Sequence, residues 1–412
     1  MTCDLEKKEF TRRQFLSVAG LTVAGLGFLP RWAAAAAAGL AGTRRKVLVV
    51  LFQRGAADGL NIVPPFLDAE YKKYRPSIRI DDPSKKEAGA IDLDGRFGLH
   101  PKLADLLPMW KAGRFAIIHA AGSPDGTRSH FDAQDYMESG TPGAKTTEDG
   151  WLNRALRARG EAEGAVNAVA IAPRLPLTLR GAYPALALQS ADQLKQGADM
   201  ADSFEALYDD AVDAMLTGAV RDLGEARKTL ASLAKEERDA AQDLSYPKGR
   251  AGRDLHELAR IIKADVGLKV GFAEMGGWDH HLNEGAAEGL LAQRLQELGG
   301  SIAAFYRELG DRAEDVLLLT MTEFGRTLEE NGNRGTDHGH ASVMLAFGGK
   351  VKGGRVHGAW PGLAREQLFE GRDLQVTTDY RRVVAEVLGR HFGLGDLSKV
   401  FPGADLPPVG LL

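Results

Sequence analysis

The sequence predicts an α/β fold, a three-layer sandwich in which a mostly parallel central sheet carries helices on both faces. Three observations predict it. Short, continuous apolar runs recur along the chain, the pattern of strands buried on both faces. Stretches with helical spacing separate them, the alternation that builds a parallel sheet between helices. Polar, glycine-containing segments follow the runs, where open parallel sheets gather their ligands beyond the strand ends.

The elements follow in order. Residues 46–53 (KVLVVLFQ) form a first buried strand, and 101–111 a helix through Leu103, Leu106, Leu107 and Trp110. Residues 115–119 and 166–171 read as the next two strands. Between 200 and 243 the positions of Phe204, Leu207, Val212, Leu216, Leu223 and Leu230 predict long amphipathic helices. A strand at 268–273 follows, then a helix on Leu291, Leu295, Leu298, Ile302, Phe305 and Leu309. Strands at 316–320 and 343–347 and a closing helix at 381–392 complete the set. No internal repeat or Pro/Ser-rich linker marks a boundary, so 45–412 is expected to be one domain, with a helical insertion at about 190–265.

Composition narrows the class. With 412 residues, 44% hydrophobic and 26% charged, the chain is neither disordered nor collagen-like nor a polytopic membrane protein. Its 49 glycines suggest many tight loops. The formal charge of −4 leaves no electrostatic footprint for nucleic acid. The first 38 residues read as an address. Thr11-Arg12-Arg13-Gln14-Phe15-Leu16 precedes a glycine-diluted apolar stretch from Val18 to Leu29, then Arg31 and the alanines 33–38. That stretch is too short to span a membrane and has the form of a cleaved export signal. The paired arginines resemble the twin-arginine type. The expected partner is then the twin-arginine translocase, the destination periplasmic or secreted, and no stable membrane anchor remains. Cys3, the only cysteine, is lost with the signal, so no disulfide, thiolate zinc site or cysteine nucleophile is expected.

Five segments place chemistry at strand ends: Arg54–Asn61 around Asp58, Thr127–Asp132 around Ser129, Gly276–His281, Thr322–Arg326, and Gly335–His340. Six of ten histidines (119, 130, 280, 281, 338 and 340) fall in or beside them. Histidines joined by Asp or Glu from separate strand ends are how an oxygen/nitrogen metal site is assembled. Plainer readings stand beside these. Asp58 could be a turn former, Ser129 a helix N-cap, Asp279 and His281 a solvated turn, and Asp337 a loop cap. Glu323 ends a very apolar strand, where an unpaired carboxylate is costly, and Arg326 could be its ion-pair partner. His280 is expected to point away from the site, and His119 to be satisfied by backbone.

The strings LVVLFQRGAADGLN, FGLHPKLADL, TRSHFDAQDYMESGTPG, GGWDHH, TEFGRT and GTDHGHA together resemble the domain of unknown function 1501 family, within the alkaline-phosphatase-like superfamily. The resemblance spans roughly 45–410. It implies two divalent ions (Zn, Mg, Mn or Ca) and a nucleophile at a helix N-terminus acting on phosphate or sulfate esters. Carried over by position, Asp58, Asp279, His281, Glu323 and His338 or His340 stand as metal ligands, and Ser129 as the nucleophile. Arg128 or Arg326 could hold the ester oxygens bidentately. Two departures are plain. Phe324 occupies the place of a metal-binding histidine, so one ion loses a nitrogen ligand unless His130 substitutes. The Asp279-to-His281 interval is shorter than usual. The Cys- or Ser-x-Pro-x-Arg signature of formylglycine sulfatases is absent. The expected function is an exported, metal-dependent hydrolase or transferase of an ester substrate, small or polymeric. The alternatives are a non-enzymatic periplasmic binding or assembly protein, and a metal-free serine hydrolase pairing Ser129 with His281 or His340.

Overall fold

The computed structural model describes residues 45–160, 166–190 and 245–412. The helices expected over 200–243 lie outside these residues, and of the expected insertion only its last helix is inside. By internal packing the chain divides into Met1–Arg45 and Lys46–Leu412, and the described residues, Arg45 apart, belong to the second unit.

Thirteen strands are described: β1 (Val47–Gln53), β2 (Ile91–Asp92), β3 (Gly98–Leu99), β4 (Phe115–Gly122), β5 (Ala168–Ile171), β6 (Leu186–Leu188), β7 (Val270–Met275), β8 (Val316–Thr322), β9 (Arg326–Glu330), β10 (Thr336–His338), β11 (Ser342–Gly348), β12 (Val356–His357) and β13 (Thr378–Asp379). The described α-helices are α1 (Gly59–Ile62), α2 (Ala69–Tyr74), α3 (Leu107–Lys111), α4 (His130–Ser139), α5 (Trp151–Arg159), α6 (Arg250–Lys263), α7 (Leu290–Leu309) and α8 (Tyr380–Arg390).

The central sheet has the order β12-β4-β11-β8-β1-β7-β5-β6, with β13 also on β4. Its pairs are parallel except those of β11, which runs antiparallel to both β4 and β8. This reversal positions the site. Ser342, the first residue of β11, pairs with Ala121 near the end of β4. The segment leading into β11 therefore reaches the edge where its neighbours end.

Alternation along β1 builds both outer layers. Val47, Val49 and Leu51 face a cluster with Leu255 and Leu258 of α6 and Leu295, Leu298 and Ile302 of α7. Leu48, Val50 and Phe52 face Trp151 and Leu152 of α5 and Val383, Val384 and Val387 of α8. Each such aliphatic side chain contributes about 1.5–3 kcal/mol by leaving water, and an unbroken apolar run is what two buried faces require. Two local differences from the sequence reading have simple causes. The expected helix at 101–111 begins as a 3-10 turn over Pro101–Leu106 before α3 starts, because Pro108 lacks the N–H that would continue a bond from that turn. The strand expected at 115–119 runs on to Gly122, through a bulge where Ala120 has φ 52°.

Candidate metal centre

Three histidines and an aspartate meet beyond the sheet's carboxyl edge. His130 opens α4, Asp279 and His281 lie in the loop after β7, and His338 ends β10. Glu323 follows β8 directly, and its side chain is fully buried.

Each ring is oriented through Nδ1. His130 Nδ1 is 2.8 Å from Glu323 Oε1, His281 Nδ1 is 3.1 Å from Asp337 Oδ1, and His338 Nδ1 is 2.9 Å from the Arg128 carbonyl. All three partners are acceptors, so Nδ1 donates in each case. A neutral ring that donates from Nδ1 carries a bare lone pair on Nε2. Those three lone pairs converge. His338 Nε2 lies 3.0 Å from His130 Nε2 and 3.0 Å from His281 Nε2. Asp279 joins them, with Oδ1 at 3.1 Å from His281 Nε2 and 3.3 Å from His338 Nε2, and Oδ2 at 3.6 Å from His130 Nε2. Lone pairs so close repel unless a proton or a cation sits among them. Donors on a tetrahedral ion with bonds of about 2.0–2.1 Å are separated by roughly 3.3–3.4 Å, and the spacings among His130, Asp279 and His338, at 3.0, 3.3 and 3.6 Å, are near that value. The ligand atoms of these three all lie within 4.8 Å of one another, and His281 borders the group without belonging to it. Imidazoles held by a carboxylate or carbonyl on the far nitrogen are the usual support of a metal ligand.

The charges agree with this geometry. Burial would raise the Asp279 carboxyl, but the hydrogen bond and charge of Arg326 and the nearby His281 and His130 hold it at about 2. Burial likewise opposes ionisation of Glu323, and bonds from His130, Gln134 and the Gly55 N–H outweigh it, leaving its pKa below the ordinary value. His130 is raised, first by its bond to Glu323. His338 is lowered by burial. Metal and proton therefore compete for one position.

Arg326 supports the floor. Its side chain has no exposed surface and donates to the carbonyls of Gly55, Ala56, Trp278 and Thr336 and, at 2.6 Å, to Asp279 Oδ1. Two glycines let the loops cross. A Cβ at Gly325 would lie 1.8 Å from the Ala341 carbonyl oxygen, and one at Gly339 2.3 Å from the carbonyl carbon of Arg326.

The other residues expected at the site are placed differently. Asp58 turns into the interior and is ion-paired through both oxygens with the fully buried Arg75, so it stands outside the cluster. Beside it the buried Glu284 accepts from Thr336 Oγ1 at 2.8 Å. Desolvation and the Asp58 charge push the Glu284 carboxyl well above its ordinary value, while Asp58, countered by Arg75, lies below its own. Two carboxyls buried beside one arginine favour one charge over two, which is why the two shift in opposite directions. His340 also stands outside. It is buried and packs on Phe369 with ring centroids 4.0 Å apart. Arg326 faces inward, so it cannot reach an ester. Arg128 is engaged by Asp373 and Glu370. Ser129 is the exposed N-cap of α4, accepting from Asp132 N–H at 3.4 Å. No histidine bonds it among the described residues. Phe324 packs on the His130 and His338 rings, and His119 bonds the Val63 carbonyl. Sequence reasoning did not single out Arg75 or Glu284, which have no local motif; their roles follow only from burial.

A mostly parallel α/β sandwich with a histidine-rich centre at the strand ends is the class this architecture defines. The chain belongs to the family described as "Protein of unknown function (DUF1501)", whose family model matches residues 116–402. No curated protein matches it. Among solved structures it is similar to a sulfatase from Pseudoalteromonas sp., at 13% identity and TM-score 0.38 over 90% of this chain and 74% of that one. It is also similar to alkaline phosphatase from the Antarctic bacterium TAB5, at 12% identity and TM-score 0.29 over 74% and 92%.

Proposed function

We propose that this chain is an exported hydrolase or transferase of phosphate or sulfate esters that works with a divalent ion held by His130, Asp279 and His338, with His281 beside them. The observation that carries the reading is the meeting of the His130 and His338 Nε2 atoms with the Asp279 carboxylate, each ring tied by Nδ1 and His281 alongside. Among the described residues one group of three close ligand atoms is found, His130, Asp279 and His338, so this reading takes one ion rather than two. A donor set rich in imidazole favours zinc over magnesium or calcium.

When bound, the ion supplies positive charge that polarises the ester and lowers the pKa of a nearby hydroxyl or water. Ser129 is the nucleophile in this reading, since its exposed hydroxyl precedes His130 directly. Its oxygen gives up its proton and attacks phosphorus or sulfur as the bond to the ester oxygen breaks; that oxygen leaves as the alcohol with a proton, and water then adds to phosphorus or sulfur and returns a proton to the freed serine. The N-terminus of α4 offers backbone N–H groups and a favourable dipole to the anionic oxygens. Glu323 fixes the His130 ring, and Arg326 fixes Asp279. The resemblance of the sequence strings to a family of unknown function within the alkaline-phosphatase-like superfamily supports the ester class, and the segment 1–38 supports a periplasmic or secreted location.

The test is elemental analysis with turnover. Purified protein is expected to hold close to one transition-metal ion per chain and to cleave 4-nitrophenyl phosphate or sulfate. His338→Ala should lose both properties while remaining folded. A wild-type protein that holds no metal and takes up none would overturn the reading.

A further inference from the structure

Along α4, His130, Gln134 and Glu138 recur every fourth residue, which places them on one face of the helix. His130 serves the metal centre. Gln134 touches both regions: its Nε2 donates to Glu323 at 2.9 Å, and its Oε1 accepts from Arg54 at 3.1 Å. Glu138 is ion-paired with Arg54 at 2.6 Å and lies on the wall of an open cavity of about 700 Å³. At 1.5 Å of rise per residue, Gln134 is about 6 Å and Glu138 about 12 Å along the axis from His130. The cavity thus begins about one helical turn from the centre, beyond the ends of the adjacent strands β1, β7 and β5, and is of a size that holds small ligands.

We propose that this cavity is the subsite for the remainder of the ester, and that it takes a neutral, hydroxyl-rich unit, a sugar or polyol; the proposal rests on the ester-hydrolase reading above. The floor is already neutralised, since Arg54 lies between Glu138 and Glu274 and Arg250 also pairs with Glu274. The rim is mixed. Arg174 and Arg180 stand exposed on one segment, Asp135 and Glu148 on others, with no ion pair among them. A purely anionic unit meets the two carboxylates, and a cationic one meets the two guanidinium groups. Hydroxyls suit both, because each donates to a carboxylate and accepts from an arginine. Among the described residues none of those lining it is aromatic, whereas Leu175 and Pro176 offer an apolar wall to the C–H face of a ring.

The test uses the metal-loaded enzyme, with glucose 6-phosphate, glucose 6-sulfate and glycerol 1-phosphate compared against 4-nitrophenyl phosphate and sulfate. Arg174→Ala and Asp135→Ala are exposed changes, expected to leave melting and metal content unaltered. Each should raise KM for the hydroxyl-rich esters about tenfold and leave both constants for the aryl esters as they were. Equal effects on both probe classes, or none on either, would overturn the subsite. So would aryl-ester turnover combined with neither turnover nor binding of the hydroxyl-rich probes. Binding of methyl glucoside, followed by saturation-transfer NMR, separates the two readings. If the wild type binds it, Arg174→Ala does not, and no ester is cleaved, the subsite stands and the hydrolase reading falls. Absence of both binding and turnover ends both.

Discussion

Ser129 is the N-cap of α4 and, in the proposed reading, the nucleophile, and the two roles separate experimentally. As a cap alone, its removal costs about 0.5–2 kcal/mol. Asn caps about as well as Ser but forms no phosphoryl or sulfuryl ester. Ser129→Asn should therefore melt like the wild type and retain metal, with turnover of 4-nitrophenyl esters gone. Undiminished turnover would return Ser129 to the role of a cap. Glu284 supplies a second prediction. Its pKa is raised in the folded state, so folding takes up a proton above the ordinary carboxyl range. The stability this proton lends is full at low pH and is lost as pH rises toward the folded-state pKa, by at most about 1.4 kcal/mol per pH unit for one proton. Gln mimics the neutral acid, accepting from Thr336 and donating to Asp58. Melting of Glu284→Gln against wild type should diverge in the variant's favour as pH rises above the ordinary carboxyl range; parallel curves would refute the raised pKa. At this scale the sequence was partly legible. Asp279, His281 and Glu323 stood out because polar groups after apolar strands demand a reason. The burial of Asp58 did not, because Arg75 lies seventeen positions away with nothing in the local pattern to link the two.

Strands and helices were easier to read than side chains, since period and burial act over many residues at once. The runs at 46–53 and 316–320 declared β1 and β8 through uninterrupted apolar character, and the Leu291-to-Leu309 spacing declared α7. Strand direction was hidden: the apolar run of β11 has no polarity that distinguishes parallel from antiparallel pairing. The crossing of the loops before β9 and β11 is more exacting. Gly339→Ala would set a Cβ 2.3 Å from the Arg326 backbone, so the two segments must part. Strain of this kind costs about 1–3 kcal/mol. Because His338 is the preceding residue, metal occupancy should fall along with the melting temperature. Unchanged occupancy would mean that His338 is not held by this crossing.

At the scale of the whole chain, the twin-arginine reading of residues 1–38 has its own test. Arg12 and Arg13 both replaced by Lys preserve charge but not the guanidinium pair. The double variant is expected to accumulate in the cytoplasm, and normal arrival in the periplasm would refute the reading. The alternation of strands and helices made the layered architecture legible from the sequence. The helices expected at 200–243 lie outside the described residues.

The reversed strand has a consequence for synthesis. β11 is the last long strand to leave the ribosome, yet it belongs between β4 and β8, both made earlier. Until Gly348 has emerged, two apolar strands present unpaired edges to the surroundings, the condition that invites association between chains. His338, four residues before β11, cannot take its place in the centre before that insertion. A nascent chain stalled ahead of residue 342 should be digested readily and bind no metal. Protease resistance and metal uptake should then appear together, in a single step, once β11 has cleared the exit tunnel.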